Sequence, residues 1–489
     1  MLKKVTVLCL LLPLSQTTSS FIYGQTTKWD LTTEFVTEFS NLPSNSPPFW
    51  EYHQPIIVRH KEKVYVTINE TLEEGFPSFA KQWTLYKRSG DGEWRTIYES
   101  STDQRLDQPP VLLADEQGQL HIIVWPEGDM TYLKFADDME SPTVEFLVTR
   151  ADNLSPFQGA SINANGDILV SYLMYMVHEQ LSMFYDAESK TWERGSPVTF
   201  QTRPESPTGS DRHTYPFVIL NGHEAHIFST QDIEDPVKIA EGASYTYSYH
   251  KLDYFFSPDI VNSPFQTINV LNIEGTGGWV HNDDMLLDSS GNIHLLYWYQ
   301  TEEGNWQTNS PQMHAFGPPG GPLNHVEIGT HSEFTEGRLW ESPEGTLYIA
   351  LPKWEDLYLA PLKEDGTLAA TPMPVGLSPG QPGSLFAGPR IFLATRRASA
   401  FGAPFLEGLY RNPLENGNIA VRYFKVTFRE GLTGDFNGND AVDFQDFVVF
   451  AQNFGMTQGD PKFNAVYDLN NDGEVNFPDF VQFAQAYGG

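Results

Sequence analysis

Pro110-Val-Leu-Leu-Ala-Asp-Glu-Gln-Gly-Gln-Leu-His-Ile and Asp284-Met-Leu-Leu-Asp-Ser-Ser-Gly-Asn-Ile-His-Leu-Leu read alike: an apolar run, a polar turn centred on glycine, a second apolar run. Each run is too short for a helix. The β-branched content and the Gly turn make the pair a β-hairpin. The same pattern starts at Gln54, Gly159, Tyr215 and Leu339, and a degenerate seventh copy runs over 389–395 and returns at 419–427. Further aromatic or β-branched strands follow each hairpin, such as 82–87 and 94–98. The copies recur every 50 to 70 residues or so, which allows one four-stranded sheet per copy. Repetition at that period is the signature of a β-propeller, and seven copies predict seven blades over 29–430, with six as the alternative. A β-helix would repeat at a much shorter period.

The composition agrees. Among 489 residues, 63 are Asp or Glu and 30 are Lys or Arg, for a formal charge of −33. A nucleic-acid binder would carry a basic face, so that class is excluded. With 40% apolar residues and 13% aromatics the chain has the mass for a folded core, unlike a disordered chain. The 39 Gly and 34 Pro suit many turns. Cys9 is the one cysteine, so a disulfide framework, a Cys-based zinc site and a catalytic thiol are excluded from the mature protein.

Lys3 and Lys4 precede an apolar run over 5–14, with small and polar residues after it. This is the pattern of a secretory signal peptide, residues 1–24, with an uncleaved anchor as the alternative. Cys9 leaves with it. No other stretch of the sequence is long and apolar enough to span a bilayer, so the mature protein is expected to be secreted or displayed at the cell surface.

The C-terminal 432–489 carries the most specific pattern. Asp435, Asn437, Asn439, Asp443 and Asp446 fall at positions 1, 3, 5, 9 and 12 of a loop, with Ala441 at position 7. Asp468, Asn470, Asp472, Asn476 and Asp479, with Glu474 at position 7, repeat it 33 residues later. Calcium takes six to eight oxygens, and this is the ligand spacing of an EF-hand loop, position 7 giving a backbone carbonyl. Two Ca2+ ions are expected. The alternative is a pair of Asx-rich turns capping helices. Val442 and Val475 at position 8 are expected to join the loops through a short β bridge. A helix-length segment follows each loop, in which Phe447, Ala451 and Phe454, then Phe480, Ala484 and Tyr487, predict the packed stripe, and Gly455 and Gly488 the C-caps. A loop-helix duplicate with no helix before either loop resembles a dockerin. That resemblance implies a cohesin-like protein partner, chosen through positions 10 and 11 of each loop. Those are Phe444-Gln445 and Phe477-Pro478, unlike the small hydroxyl pairs of the cellulosome type.

The repeats themselves resemble the BNR-type propellers related to sialidases. Ser89-Gly-Asp-Gly-Glu-Trp94 and Asp186-Ala-Glu-Ser-Lys-Thr-Trp192 are remnants of the family's Asp-box turn. In a propeller the residues leading into each innermost strand surround one mouth of the central channel. Here they are His53, Gln108, Gln158, Arg212, His213, Tyr215, His281, Asn282, Asp283, Asp284, Glu336, Arg338 and Arg390. Arginine forks suit a carboxylate, and His, Tyr and acid side chains suit proton transfer. The sialidase resemblance implies an arginine triad of Arg212, Arg338 and Arg390, with Asp283 or Asp284 as acid. Propeller polysaccharide lyases imply His213 or His281, Tyr215 and Arg212 at a uronate. The catalytic candidates are therefore Arg212, His213, Tyr215, His281, Asp283, Asp284, Arg338 and Arg390. His121, His226 and His294, inside second strands, are read as packing residues. Trp279, Trp298, Tyr299, Trp306 and Trp340 are sugar platforms or blade fillers. The sequence thus leads to a secreted carbohydrate-active protein, a glycoside hydrolase or polysaccharide lyase on an acidic glycan. The alternative is a propeller that only binds glycan or protein. That enzymes of polysaccharide catabolism commonly carry dockerins favours the first.

Overall fold

A computed structural model describes residues 28–488 except 43–48, 50–51, 73–78, 91, 103–104, 107, 127–128, 136–141, 149–153, 175–178, 196–197, 200–210, 243–245, 302–309, 332–335, 354–355, 378–389, 400–403, 430–431, 438, 440, 461 and 471. The signal-peptide expectation and Trp306 lie outside the described residues. The chain divides into two compact units, 31–427, and the C-terminal segment from 428 with 1–30.

The larger unit is a seven-bladed β-propeller. Its seven antiparallel sheets have innermost strands Ile57–His60, Val111–Ala114, Leu154–Ile162, Arg212–Asn221, Trp279–Leu287, Arg338–Glu341 and Ile391–Leu393. Six of the seven expected hairpins are inner pairs of strands, and 82–87 and 94–98 fall inside the outer strands Gln82–Arg88 and Trp94–Glu99. The turn glycines explain the repeat: Gly118 and Gly291 sit at φ of +86° and +85°, where a side chain would be strained. An acid or amide opens several of these turns and accepts the turn's N–H groups. Asp115 takes those of Gln117 and Gln119 at 3.0 and 2.8 Å, and Asn163 takes those of Asn165 and Asp167 at 2.9 Å.

The seventh blade corrects the sequence reading. Ile391–Leu393 pairs with Leu406–Pro413, and Ile419–Arg429 is the third strand, not the hairpin return. The fourth strand is Lys28–Phe39 from the other end of the chain. The ring therefore closes by pairing first and last strands, so that blade 7 is built from both ends of the propeller segment. Arg59 of blade 1 forks both oxygens of Glu407 in blade 7 at 2.5 and 2.6 Å, tying the first blade to the last.

Buried between strands, His121, His226 and His294 act as staples, as read. His121 meets the Tyr132 hydroxyl at 2.6 Å and Asp115 at 3.4 Å, and His226 meets Tyr254 at 2.7 Å and Glu224 at 3.0 Å. His294 meets His314 at 2.9 Å and Asp288 at 3.1 Å.

One segment, 394–399, holds every blade. The Arg397 and Ala398 carbonyls accept the N–H groups of Ile162 and Ala114, both at 2.9 Å. Ser399 donates to the Arg59 carbonyl at 2.8 Å. The Arg397 guanidinium donates to Asp284 at 2.8 Å and lies 4.8 Å from the Phe217 ring centre, while Arg396 reaches Glu341 at 3.2 Å. Blades 1 to 6 are thus each tied to a segment of blade 7.

In the C-terminal unit, helices Phe444–Asn453 and Phe477–Ala486 each follow an Asx-rich loop. Gly455 and Gly488 end them at φ of +87° and +80°, as capping glycines do. The packed stripe differs from the expected one. Phe450 and Phe483 stack 5.6 Å apart at 6°, with Phe436 stacked on both, while Ala451, Phe454, Ala484 and Tyr487 are exposed and Phe447 and Phe480 sit at the edge. Phe436, Val442 and Leu469, which precede the helices, select that face. The β bridge also differs. Val475 pairs with Gly455 and Met456, and the Val442 carbonyl accepts Gly488 N–H, so each loop abuts the end of the other helix.

Candidate functional site

Three neighbouring inner strands are bulged near their leading ends: between Ser155 and Gln158, between Thr214 and Phe217, and between Asn282 and Asp284. A bulge leaves a residue out of the ladder and re-aims its side chain, and such irregularities gather at functional sites. The second one holds Tyr215 at φ of +55°, a left-handed conformation costly for a tyrosine. The third frees Asp283.

These side chains meet around Tyr52, a buried residue that the sequence reading passed over. Its ring stacks on His281 at 4.8 Å and 26°, and lies 5.4 Å from the Tyr215 ring. The guanidinium groups of Arg390 and Arg338 sit 5.4 and 5.7 Å from its centre. Its hydroxyl donates to Asn282 at 3.1 Å. His281 is about a quarter exposed, and its Nδ1 contacts Asp283 Oδ1 at 2.9 Å. Asp283 is fully buried and accepts from Gln312 at 2.9 Å and from the Gly337 N–H at 3.3 Å. Burial pushes its carboxyl up, against the pull of His281. Burial also works to raise Glu336, but Arg390, His281 and Arg338 hold it below the ordinary range. Arg390 meets Glu336 at 2.8 Å. Arg411 lies close by, its charge disfavoured by burial and by Arg390, which bring it down to about 9.

The eight candidates divide. Tyr215, His281, Asp283, Arg338 and Arg390 share the cluster. Arg338 is committed to the backbone, donating to the carbonyls of Asp283 at 2.7 Å and Ile391 at 3.2 Å. Arg212 stands apart on the blade face, 2.9 Å from both Asp232 oxygens, over Tyr247 at 4.1 Å and Phe157 at 5.5 Å. The Phe157 ring touches Tyr215 at 5.2 Å. His213, one residue on, points to the opposite face of the blade because strand side chains alternate. It contacts Ser229 at 3.0 Å and Asp253 at 3.4 Å, outside the cluster. Asp284 is turned away as well, toward Arg397 and the Leu339 N–H at 2.9 Å. Trp298 and Trp279 stand beside the cluster, Trp298 stacked on His281 at 5.5 Å and Trp279 tilted against Tyr249 at 5.2 Å.

Buried histidines make the propeller acid-sensitive. Burial lowers His53 to about 3 and His213 and His314 to about 4, from 6.5. Between those values and 6.5 the unfolded chain binds protons that the folded chain does not, so stability falls as pH falls. Each histidine contributes on the order of 1 kcal/mol per pH unit. We expect the melting temperature of the propeller to drop by several degrees from pH 7 to pH 5; an unchanged value would contradict the neutral assignments.

The C-terminal loops fit a cation. Carboxylate oxygens of Asp468, Asp472 and Asp479 lie within 4.8 Å of one another, and Asp435 and Asp446 are buried in the first loop. Asp446 and Asp479 also cap their loops: Asp446 accepts from Phe436 at 2.7 Å and Asp443 at 3.0 Å, and Asp479 from Asn470 at 3.0 Å and Asn476 at 2.8 Å. Each loop is therefore pre-shaped around its own position-12 acid. Nine carboxylates against one lysine over 432–489 would repel without a cation. We expect chelation to expose the amides of 444–453 and 477–486 to fast hydrogen exchange in the full chain, and calcium to restore protection. Asp468→Ala should do more damage than Asp435→Ala, because Gly473 donates to Asp468 at 2.8 Å in a tight turn at φ of +88°.

Residues 433–485 match the family model of the dockerin type I domain. Such domains bind calcium. No curated protein matches the chain. Among solved structures, the polysaccharide lyase Uly1 is 11% identical, over 76% of this chain and 89% of its own, with a TM-score of 0.49. The α-L-arabinofuranosidase Arb93A of Fusarium graminearum is 12% identical, over 65% and 91%, with a TM-score of 0.41. The α-L-arabinanase of Penicillium chrysogenum is 13% identical, over 65% and 93%, with a TM-score of 0.40. These propeller neighbours are glycoside hydrolases and a polysaccharide lyase. No helix among the described residues is long and apolar enough to cross a membrane.

Proposed function

We propose that this is an exported carbohydrate-active enzyme that cleaves an acidic polysaccharide by β-elimination at the propeller mouth. The observation that carries the reading is the His281–Asp283 pair, its histidine part-exposed, with Tyr215 on the adjacent bulged strand and both rings against Tyr52. Asp283 accepts from His281 Nδ1, so Nε2 keeps its lone pair and can serve as general base. In the step proposed, Nε2 takes the proton on the carbon next to the uronate carboxylate. The electron pair left behind forms the ring double bond as the glycosidic C–O bond breaks. The Tyr215 hydroxyl gives its proton to the departing oxygen. Arg390 is assigned to the substrate carboxylate; among the described residues Arg338, Arg390 and Arg411 supply guanidinium groups and Asp283 and Glu336 carboxylates to the cluster.

Hydrolysis fits less well. A glycosidase needs two carboxyl groups at the scissile bond, and Asp283 and Glu336 are both buried. The sialidase-type triad is not adopted either, since Arg338 is committed to carbonyls and Arg212 to Asp232. Residues 1–24 support export. The dockerin match supports docking to a cohesin-like protein. Phe444 and Phe477, at position 10 of the two loops, are 65% and 66% exposed and would give that contact an apolar centre. Two calcium ions are proposed, one per loop. Incubation with a panel of uronate polysaccharides tests the activity: ultraviolet absorbance from unsaturated uronate is expected, and no cleavage of any of them would favour a propeller that only binds.

A further inference from the structure

The inner hairpins of blades 3 to 6 line a cavity of about 490 Å3 beside segment 394–399. It is distinct from the Tyr52 cluster, whose residues sit at the leading ends of those strands. The size lies within the roughly 300–1,000 Å3 range of small-ligand sites. Its floor is apolar, with Ile162, Ile219, Met285 and Leu339, and Trp340 also lines it. Its acids are already engaged: Asp284 by Arg397, Asp288 by His294 and Asn292, Glu341 by Ser289 and Arg396. Two buried atoms of its lining residues, Arg397 Nε and Thr395 Oγ1, have no hydrogen-bond partner among the described residues. A buried donor left without an acceptor is unfavourable, so a ligand that brings acceptor oxygens to these groups is favoured.

The charge balance decides which kind. Three acids face two arginines, each arginine paired to one of those acids, so the cavity holds no net positive charge for an anion. An apolar floor beside donor groups suits a molecule with a C–H face and hydroxyl or ether oxygens. We infer that this cavity is a second binding site, for a neutral mono- or disaccharide, on the turn side of the propeller. It stands independently of the eliminative chemistry proposed for the other end.

The test is calorimetry on the full chain with neutral saccharides: glucose, galactose, xylose, arabinose and rhamnose, and their disaccharides. Glucuronate is the anionic control. Binding of at least one neutral sugar is expected. Thr395→Val should weaken it about three- to tenfold, the loss of one hydrogen bond. Asn165→Trp, on the exposed rim, should abolish it, and His281→Asn should leave it unchanged. The inference is overturned if no neutral sugar binds, if glucuronate binds better, or if His281→Asn removes binding while Thr395→Val and Asn165→Trp do not.

Discussion

His281→Asn should lower the turnover efficiency on a uronate polysaccharide by about 100- to 10,000-fold, the range spanned by a positioned general base. The native imidazole is held by three partners: Asp283 at Nδ1, the Tyr52 ring on one side and the Trp298 ring at 5.5 Å and 18°. Asparagine can keep the contact to Asp283 but offers no basic nitrogen. Tyr215→Phe removes only the proton donor and should fall in the same range, while the ring packing against Tyr52 is retained. Arg390→Ala should act on substrate binding more than on turnover. Thermal melts of His281→Asn and Tyr215→Phe should stay close to native, whereas Arg390→Ala also takes the cation from the buried Glu336 and should melt lower. If His281→Asn keeps full activity, the base lies elsewhere.

The second large effect is on stability. Arg397→Ala should destabilise the propeller by about 3–5 kcal/mol, because it leaves the buried Asp284 carboxylate without its cation. Burial works against the Arg397 charge and Asp284 offsets it, so neither group is tolerated alone. That loss is a large share of the roughly 5–15 kcal/mol that separates folded from unfolded domains. Asp284 also accepts the N–H groups of Met285 and Leu339, both at 2.9 Å, so Asp284→Asn keeps an acceptor there and drops the charge. Urea melts should place the double variant Arg397→Met with Asp284→Asn nearer to native than Arg397→Met alone. A double variant as unstable as the sum of its parts would mean that the pair is not coupled.

Six inner hairpins were legible because each carries its own punctuation, an Asx or glycine turn between two apolar runs. The seventh was read with the wrong return strand. Leu406–Pro413 contains Glu407, Gly408 and Arg411, which break the apolar pattern. Glu407 is there to bind Arg59, a residue 348 positions away. The last strand comes from the N-terminus, and no local pattern announces such a pairing. Position in the repeat was enough to group His281, Asp283, Arg338 and Arg390, which the fold brings together around Tyr52. It could not show that Tyr215 leaves the ladder at positive φ, that His213 points to the other face of its blade, or that Asp284 turns toward Arg397. Tyr52 carried a faint signal, an aromatic beside His53 just ahead of a first strand. In the C-terminal module the ligand spacing was plain. The helices offered two apolar faces, and Phe436, Val442 and Leu469 in the loops chose Phe450 and Phe483.

Eliminative cleavage at the propeller mouth is tested most directly by the mass of the products formed in heavy-oxygen water. Elimination adds no water, so each cut should give an unsaturated end and no heavy-oxygen label. Saturated fragments that carry the label at their new reducing ends would show hydrolysis and contradict the account.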